Sequence, residues 1–278
     1  MDGLLIINKP LHMTSHDVVN VVRKTLHTKK VGHAGTLDPE ASGVLVVAVN
    51  KATKALQFLT ADTKEYIATL TLGTSTDTYD VTGQITEQKP FTGYEHLEEA
   101  INSFIGESMQ VPPMYSAIKV NGKKLYEYAR AGEHVEVAPR PITIFKMEVL
   151  KEEGPHITFK VKCSKGTYVR SLCVDLAKQL GYPGHMSALV RTQSGAFTID
   201  QAVTLEDLQA GNYHMIPLDH AFDEMDHYVL EDEKIAITGR KINADIDHNV
   251  AVFNKEGHLL AIYGPDGQGH LKSLRGLF

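Results

Sequence analysis

The chain has 278 residues, of which 42% are hydrophobic and 22% charged, a composition typical of a globular protein long enough for two domains. Its net charge of -6 argues against a nonspecific nucleic-acid binder, and no apolar run reaches the ~18 residues of a membrane span. Residues 200–278 hold 6 basic and 14 acidic residues, net -8, which leaves residues 1–199 at net +2. Only two cysteines, Cys163 and Cys173, and a start without a basic signal-peptide region predict a cytoplasmic protein.

The first predicted elements are a strand and a helix. The apolar run Leu4–Ile7 predicts a strand that ends at Asn8-Lys9-Pro10. Thr14-Ser15-His16-Asp17 matches a helix capping box. Val18 and Val22 follow at helical spacing, so a helix is expected to begin there.

A glycine-rich stretch, residues 32–43, follows this helix and leads into the apolar run Val44–Val49, which predicts a buried strand. Pro39 biases Asp38 toward extended backbone, so one carboxylate is expected in a shaped loop beside a core strand. On these residues alone, a polar turn capped by Asp38 is favoured over a catalytic carboxylate.

Further elements are predicted in the middle of the chain. Tyr66–Leu72 and Ile157–Cys163 alternate as half-buried strands, and the position of Tyr66 fits a core tyrosine as well as a functional one. Helices are expected over Tyr94–Ile105 and from Val169 to Gly181. Arg170 and Tyr168 lie at the start of the second helix, where the helix dipole disfavours a cation, so Arg170 is expected to serve a carboxylate.

Residues 111–144 mix cations with aromatic rings. Such a mixture suits RNA, because cations meet phosphates and rings meet bases, but a solvated helix with core tyrosines fits equally well. Towards the C-terminus, Asn249–Phe253 and Leu259–Tyr263 predict short strands of a small all-β appendage. The residues of the mixed segment are Lys119, Lys123, Lys124, Arg130 and Arg140 with Tyr115, Tyr126 and Tyr128.

Several kinds of chemistry have no motif in this sequence. It lacks the glycine fingerprints of nucleotide cofactors, the zinc motif HExxH, paired cysteines and the nucleophile elbow GxSxG. The sequence therefore predicts no metal and no cofactor. A carboxylate acting with an Arg and a Tyr remains open, with the Asp as a covalent nucleophile or as a base.

Seven motifs occur in order over roughly residues 3–200. They are Asn8-Lys9-Pro10 with Thr14–Asp17, Gly32–Pro39, Lys64-Glu65-Tyr66, the polar loop Leu72–Gly83, Pro112–Lys119, Lys165–Arg170 and Leu189–Phe197. Together they resemble one family, the TruB family of tRNA pseudouridine-55 synthases. The C-terminal part is similar to a PUA domain, less specifically.

The resemblance implies an α/β (α+β) protein with the pseudouridine synthase fold, a mixed, largely antiparallel sheet flanked by helices. It implies a catalytic domain over residues 1–220 with an RNA-contacting insertion at about 112–144. Residues 221–278 would then form a small β-barrel-like, PUA-like RNA-binding domain.

The implied reaction isomerises a uridine in the T-loop of tRNA to pseudouridine after base flipping. It needs the tRNA T-arm as partner, and no metal, cofactor, membrane or obligatory protein partner. The alternative is a non-catalytic protein that binds and remodels the T-arm, which would need no catalytic carboxylate.

The resemblance also implies roles for individual residues. Asp38 would be the catalytic carboxylate, acting on either the sugar or the base. Tyr66 would stack on the target base as a candidate proton acceptor, and Arg170 would pair with Asp38. The RNA-binding and substrate-binding residues would be His33, Lys9, Pro10, Tyr168, Leu189, Lys119, Lys123, Lys124 and Arg130.

One residue departs from the family pattern. His12 stands two residues after the Lys-Pro pair, where the family has glycine. If this turn needs a positive φ, a histidine tolerates it less well than glycine. The local turn is therefore in question, while the flanking residues fit.

Overall fold

The structure is a computed structural model that describes residues 2–59, 63–133 and 135–278, so His134 of the predicted insertion lies outside the described residues. Contacts divide the chain into two units, Met1–Ala61 with Ser194–Phe278, and Asp62–Gln193. The helices in chain order are α1 Ser15–Thr25, α2 Leu97–Ser103, α3 Leu125–Arg130, α4 Val169–Gln179, α5 Leu205–Ala210 and α6 Lys234–Ile237. Short 3₁₀ turns cover Asn50–Ala55, Ile199–Gln201 and Leu218–His220.

The strands of the first half of the chain are β1 Gly3–Lys9, β2 Val31–Ala34, β3 Ala41–Val49, β4 Thr63–Leu72, β5 Thr74–Thr76, β6 Ile85–Gln88, β7 Gly106–Gln110, β8 Lys119–Val120 and β9 Lys123–Lys124. Those of the second half are β10 Arg140–Glu153, β11 His156–Ser164, β12 Gly184–Ser194, β13 Phe197–Thr198, β14 Ile216–Pro217, β15 His227–Val229, β16 Ile242–Asn243, β17 Val250–Phe253, β18 Leu259–Pro265 and β19 His270–Gly276.

In the first unit, β1 pairs antiparallel with β3 along its whole length, and β14 and β2 extend this pairing. Leu5 and Ile7 face a core that includes the apolar sides of α1 and α5. Leu4 and Ile6 face the opposite side, where a second core contains residues of the C-terminal strands. Both faces of β1 are thus buried, which explains why its sequence is apolar without alternation.

The C-terminal strands of the first unit form a separate five-stranded sheet in the order β15-β17-β18-β19-β16. Only the pairing of β15 with β17 is parallel among those described. Ala251, Phe253 and Ile262 of this sheet, and Leu277 after it, enter the same core as Leu4 and Ile6. This sheet is therefore packed onto the strands that carry the N-terminal motifs.

In the second unit the strand order is β12-β4-β11-β10-β7. β4, β11, β10 and β7 pair antiparallel in succession. Every second residue of β4 is buried, as its alternation predicts. A Cβ atom at Gly184 would lie 2.4 Å from Ala177 Cβ, so the start of β12 approaches α4 as closely as glycine allows.

These observations confirm the predicted fold class, α+β with a largely antiparallel sheet flanked by helices. The capping box at Thr14 and Asp17 is formed, and the strands predicted from Leu4, Val44, Tyr66 and Ile157 are present. The helix predicted over Tyr94–Ile105 is shorter, because α2 begins only at Leu97 after His96 in a left-handed conformation. The long strands β10 and β12 were not predicted.

Candidate active site

Asp38 lies half-buried in a short loop between β2 and β3. The carbonyl oxygen of Asp38 accepts a hydrogen bond from the Ala41 amide at 3.0 Å, which closes the turn that leads into β3. The glycine-rich stretch is less of a loop than its composition suggests, because residues 31–34 pair with β3 as β2. His33 therefore lies on a strand, opposite Val47, and not in the loop itself.

Lys9 is a fully buried lysine that contacts this loop. Its ammonium group donates hydrogen bonds to the carbonyl oxygens of Pro10 at 2.8 Å, Met13 at 2.6 Å and Pro39 at 3.4 Å. A buried ammonium needs such acceptors, because each hydrogen bond left unmade costs about 1–3 kcal/mol, and more for a charged group. Lys9 and Pro10 thus lie at the turn that abuts the residue after Asp38.

His12 occupies the turn position in question and adopts φ of 62°. Its backbone N–H donates to the carbonyl oxygen of Pro39 at 2.8 Å, and its Nδ1 lies 3.2 Å from Glu40 Oε1. The turn therefore does require the left-handed region, and a histidine accepts the strain. Both contacts reach the two residues that directly follow Asp38.

Tyr66 and Leu189 lie in the second unit. Tyr66 is on β4, opposite Val161 of β11, and 8% of its surface is exposed. Leu189 is on β12 and is equally buried. Tyr66 shares the buried face of its strand with Ala68 and Leu70, so its burial fits both of the interpretations left open by the sequence.

Arg170 is 7% exposed and held by backbone carbonyl groups. Its Nη1 donates to the Thr78 carbonyl oxygen at 3.1 Å, and its Nη2 donates to the Tyr115 carbonyl oxygen at 3.0 Å. Nη1 also lies 3.6 Å from Asp80 Oδ2. Arg170 thereby joins the polar loop after β4 to the start of the predicted insertion. Its pairing with Asp38 stays a prediction.

Asp80 organises the polar loop that the sequence motif Leu72–Gly83 marks. Its carboxylate accepts hydrogen bonds from Thr78 Oγ1 at 2.7 Å and from Thr82 N and Oγ1 at 2.9 and 2.6 Å. A Cβ atom at Gly83 would lie 2.4 Å from Asp77 Oδ1, which explains the glycine. The sequence identified this segment as a polar loop but gave Asp80 no role of its own.

The start of α4 is fixed through Tyr168. The Tyr168 amide donates to Gln110 Oε1 at 2.8 Å, and Gln110 Nε2 donates to the Tyr168 carbonyl oxygen at 3.1 Å. Ser171 Oγ donates to the Val111 carbonyl oxygen at 3.0 Å. The end of β7 therefore sets the position of the helix turn that carries Arg170. Gln110 has no motif that would have identified it.

The predicted insertion carries stacked cations. Lys123 Nζ lies 4.4 Å from the ring centre of Tyr128, and Tyr126 lies under both Lys124 and Arg130 at 5.3 and 5.4 Å. Lys119 is directly opposite Lys124 across the β8–β9 pairing. Like charges at opposed positions destabilise a hairpin. A hairpin that nevertheless carries two opposed lysines has a positive surface suited to an anionic ligand.

Three further features concern metal ligands, membrane-spanning helices and cysteine thiols. No group of His, Cys, Asp and Glu side chains among them could hold a metal ion, and none of their helices is long and apolar enough to cross a bilayer. Cys163 and Cys173 are buried and free of disulfides. Burial raises the pKa of Cys163 to about 11 and raises that of Cys173 further, so neither thiol is an activated nucleophile.

Comparisons with known proteins match most of this chain to a single family. Residues 23–169 match the family model described as "TruB family pseudouridylate synthase (N terminal domain)", and residues 170–231 match "tRNA pseudouridylate synthase B C-terminal domain". The chain is 45% identical to the tRNA pseudouridine synthase B of Bacillus licheniformis and 44% identical to that of Bacillus subtilis. In both cases the similarity covers 95% of this chain and 93% of the relative.

Two solved structures contain a chain with a similar fold. An H/ACA RNP bound to a substrate RNA containing 2′-deoxyuridine has a chain that is 25% identical, with a TM-score of 0.74 over 99% of this chain and 85% of its own. A Cbf5-Nop10-Gar1 complex has a chain that is 29% identical, with a TM-score of 0.74 over 94% of this chain and 78% of its own.

Proposed function

The chain belongs to the TruB family of pseudouridylate synthases, and we propose that it isomerises uridine 55 in the T-loop of tRNA to pseudouridine. The observation that carries this proposal is the position of Asp38, which lies half-buried in a loop. The next residue, Pro39, accepts hydrogen bonds from Lys9 and His12. Anchoring of this backbone limits the positions open to one carboxylate. A fixed position of the reacting group raises a reaction rate, whereas binding alone does not require it. The relatives named tRNA pseudouridine synthase B supply the substrate class.

The reaction is balanced without any co-reactant. The bond from the ribose C1′ to N1 of uracil breaks, the base rotates, and a bond from C1′ to C5 forms. The proton on C5 is lost and N1 gains one, so no oxidant or reductant is required. Asp38 is proposed to begin this sequence as a nucleophile or base, the two roles open to a carboxylate.

Tyr66, Leu189 and His33 are proposed to hold the extruded nucleotide. Taking a base out of its stack costs roughly a few kcal/mol. Stacking on an aromatic ring returns about 1–3 kcal/mol. Tyr66 would provide that ring, Leu189 would pack beside the base, and His33 would stabilise the flipped-out form of the RNA.

Arg170 is proposed to orient Asp38. A guanidinium has five N–H donors in a planar fork, so bonds to the Thr78 and Tyr115 carbonyl groups are compatible with a further bond to a carboxylate. Because the guanidinium is 7% exposed, water competes weakly for those donors.

Binding of the T-arm is assigned to two regions. The insertion at 112–144 would contact the phosphate backbone through Lys119, Lys123, Lys124 and Arg130, with Tyr168 nearby at the start of α4. Residues 221–278 would be an RNA-binding domain without a catalytic role. We propose that the reaction takes place in the cytoplasm and uses no metal, cofactor or obligatory protein partner.

Tritium release from tRNA carrying 5-tritiated uridine tests the proposal, since only attack at C5 frees the label. The wild-type protein is expected to release label from a tRNA with uridine 55 and not from one with cytidine there. Asp38→Asn keeps the shape and removes the charge, so release should vanish while tRNA affinity stays within about tenfold, or about 1.4 kcal/mol. Wild-type turnover by this variant would contradict the assignment of Asp38. Tight T-arm binding without release by the wild type would favour the non-catalytic alternative.

A further inference from the structure

Ser15 is bonded to the residue that precedes Asp38. Its Oγ accepts a hydrogen bond from the Leu37 amide at 2.9 Å and donates one to the Leu37 carbonyl oxygen at 3.2 Å. Ser15 is 2% exposed and Leu37 is 4% exposed, so water does not compete for these bonds. One hydroxyl group therefore satisfies both polar groups of the Leu37 backbone, which would otherwise be buried unpaired.

The Ser15 hydroxyl is itself attached to a rigid element. Ser15 is the first residue of α1, whose preceding residue Thr14 forms a capping box with Asp17. Val18 and Val22 anchor the next turns of the helix in the core of the first unit. A hydroxyl fixed in this way transmits the position of α1 to the backbone of Leu37.

The residue after Asp38 is anchored as well. The Pro39 carbonyl oxygen accepts hydrogen bonds from the His12 amide at 2.8 Å and from Lys9 Nζ at 3.4 Å. Asp38 thus lies between two residues whose backbone is held by side chains or turns of the N-terminal segment. The sequence placed Lys9, Pro10 and Ser15 in family motifs, but it predicted neither the bonds to Pro39 nor the bonds of Ser15 to Leu37.

We propose that Ser15 is a positioning residue for the Asp38 carboxylate, an inference that rests on the proposed function, in which Asp38 does the chemistry. Without the hydroxyl, the two peptides that flank Leu37 each lose one hydrogen bond, the N–H of the Thr36–Leu37 peptide and the carbonyl of the peptide that joins Leu37 to Asp38. A displacement of about 1 Å in a reacting group costs about 100-fold in rate. The substrate-binding residues are untouched, so affinity for tRNA should be preserved.

The test compares Ser15→Ala with Ser15→Thr and with a matched control. With enzyme in saturating excess, Ser15→Ala should lower the single-turnover rate of tritium release by about 10- to 100-fold, and in multiple-turnover assays it should leave KM within about twofold. Ser15→Thr retains the hydroxyl and should recover most of the rate. Amide exchange in a peptide that spans Leu37 should be faster in Ser15→Ala than in the wild type.

Thr204→Ala is the control for a loss of stability alone. Thr204 caps α5 by accepting the Asp207 amide at 3.0 Å, and Leu205 and Leu208 of α5 enter the same core as Val18 and Val22. Its removal should lower the thermal midpoint comparably and leave the rate unchanged. If Ser15→Ala fails to fold, Ser15→Cys, a weaker hydrogen-bonding group of similar size, replaces it with the same expected rate loss and faster exchange.

Two results would overturn the role of Ser15 and leave the proposed function intact. One is a folded Ser15→Ala protein with a rate within twofold of the wild type. The other is a Thr204→Ala protein that loses as much rate as Ser15→Ala. A wild-type protein that releases no tritium would instead overturn the proposed function itself.

Discussion

Arg170 Nη2 donates a hydrogen bond to the backbone carbonyl oxygen of Tyr115 at 3.0 Å, which ties the predicted catalytic arginine to the first residues of the predicted RNA-binding insertion. The same guanidinium holds the Thr78 carbonyl oxygen at 3.1 Å. One side chain therefore organises the polar loop after β4 and the entrance to the insertion together. Movement of the insertion during RNA binding would therefore displace the guanidinium group of Arg170.

Arg170→Lys should preserve the positive charge and lose this organisation. A single ammonium group on a flexible stem cannot reproduce a planar fork that spans two carbonyl groups. We expect the single-turnover rate at saturating enzyme to fall by about 100-fold or more, with tRNA affinity changed far less. Tritium release and filter binding measure the two quantities. A rate within about fivefold of the wild type would show that charge alone suffices.

Tyr66→Phe separates the two interpretations of Tyr66. It keeps the ring and deletes the hydroxyl group. If the hydroxyl moves a proton, the single-turnover rate should fall by about 10²–10⁴-fold while the thermal midpoint barely changes. If Tyr66 only packs in the core, the rate should persist and the free energy of unfolding should fall by about 1–3 kcal/mol, because a buried partner loses its bond. Tyr66→Leu should additionally weaken tRNA binding.

The double substitution Lys123→Gln and Lys124→Gln should weaken tRNA binding without slowing the chemistry. Each phosphate contact contributes about 0.7–0.9 to the slope of log K against log salt, so the variant should bind less tightly and with a shallower salt dependence. Lys151→Gln is a matched control, because Lys151 pairs with Glu153 at 2.7 Å as Lys123 pairs with Glu133 at 3.0 Å. Equal effects of the two changes would contradict a dedicated role for the insertion.

His12→Gly should relieve the strain at φ of 62°. A side chain in the left-handed region costs roughly 1–2 kcal/mol, whereas the exposed contact with Glu40 contributes at most about 1 kcal/mol. Part of the relief is offset by the greater freedom of glycine in the unfolded chain. We expect a thermal midpoint equal to or slightly above that of the wild type, and a lower one for His12→Ala, which keeps the strain and loses the contact. A His12→Gly protein less stable than His12→Ala would contradict this account.

A segment could be predicted from the sequence when its pattern of apolar and polar residues was regular. β4 and β11 alternate residue by residue, and the capping box of α1 is entirely local, so these elements were identified from sequence. β10 was missed because its pairing with β11 shifts register between Ile144 and Lys146 and again between Val149 and Lys151. Each such bulge interrupts the period-two pattern on which recognition of a strand depends.

The candidate site shows a similar division. Asp38, Tyr66 and Arg170 stood in motifs, so sequence alone could nominate them. The partners of Arg170 are the backbone carbonyl groups of Thr78 and Tyr115, which every residue type possesses. Ser15 stood in a helix cap and a family motif, but its role was not predicted, because its bond to Leu37 joins positions 22 residues apart. Contacts of this kind depend on the tertiary structure and leave no local signature.

The core shared by Leu4, Ile6, Phe253 and Leu277 has a consequence for the order in which the protein matures during translation. Residues 62–193 form a contiguous unit that can complete its packing as soon as it leaves the ribosome. The strands that flank the Asp38 loop must wait, with one apolar face uncovered, until residues 250–277 have been made. The nascent chain therefore completes residues 62–193 before the strands around Asp38 are fully supported, and a ribosome stalled within that interval carries an exposed apolar surface that chaperones would recognise.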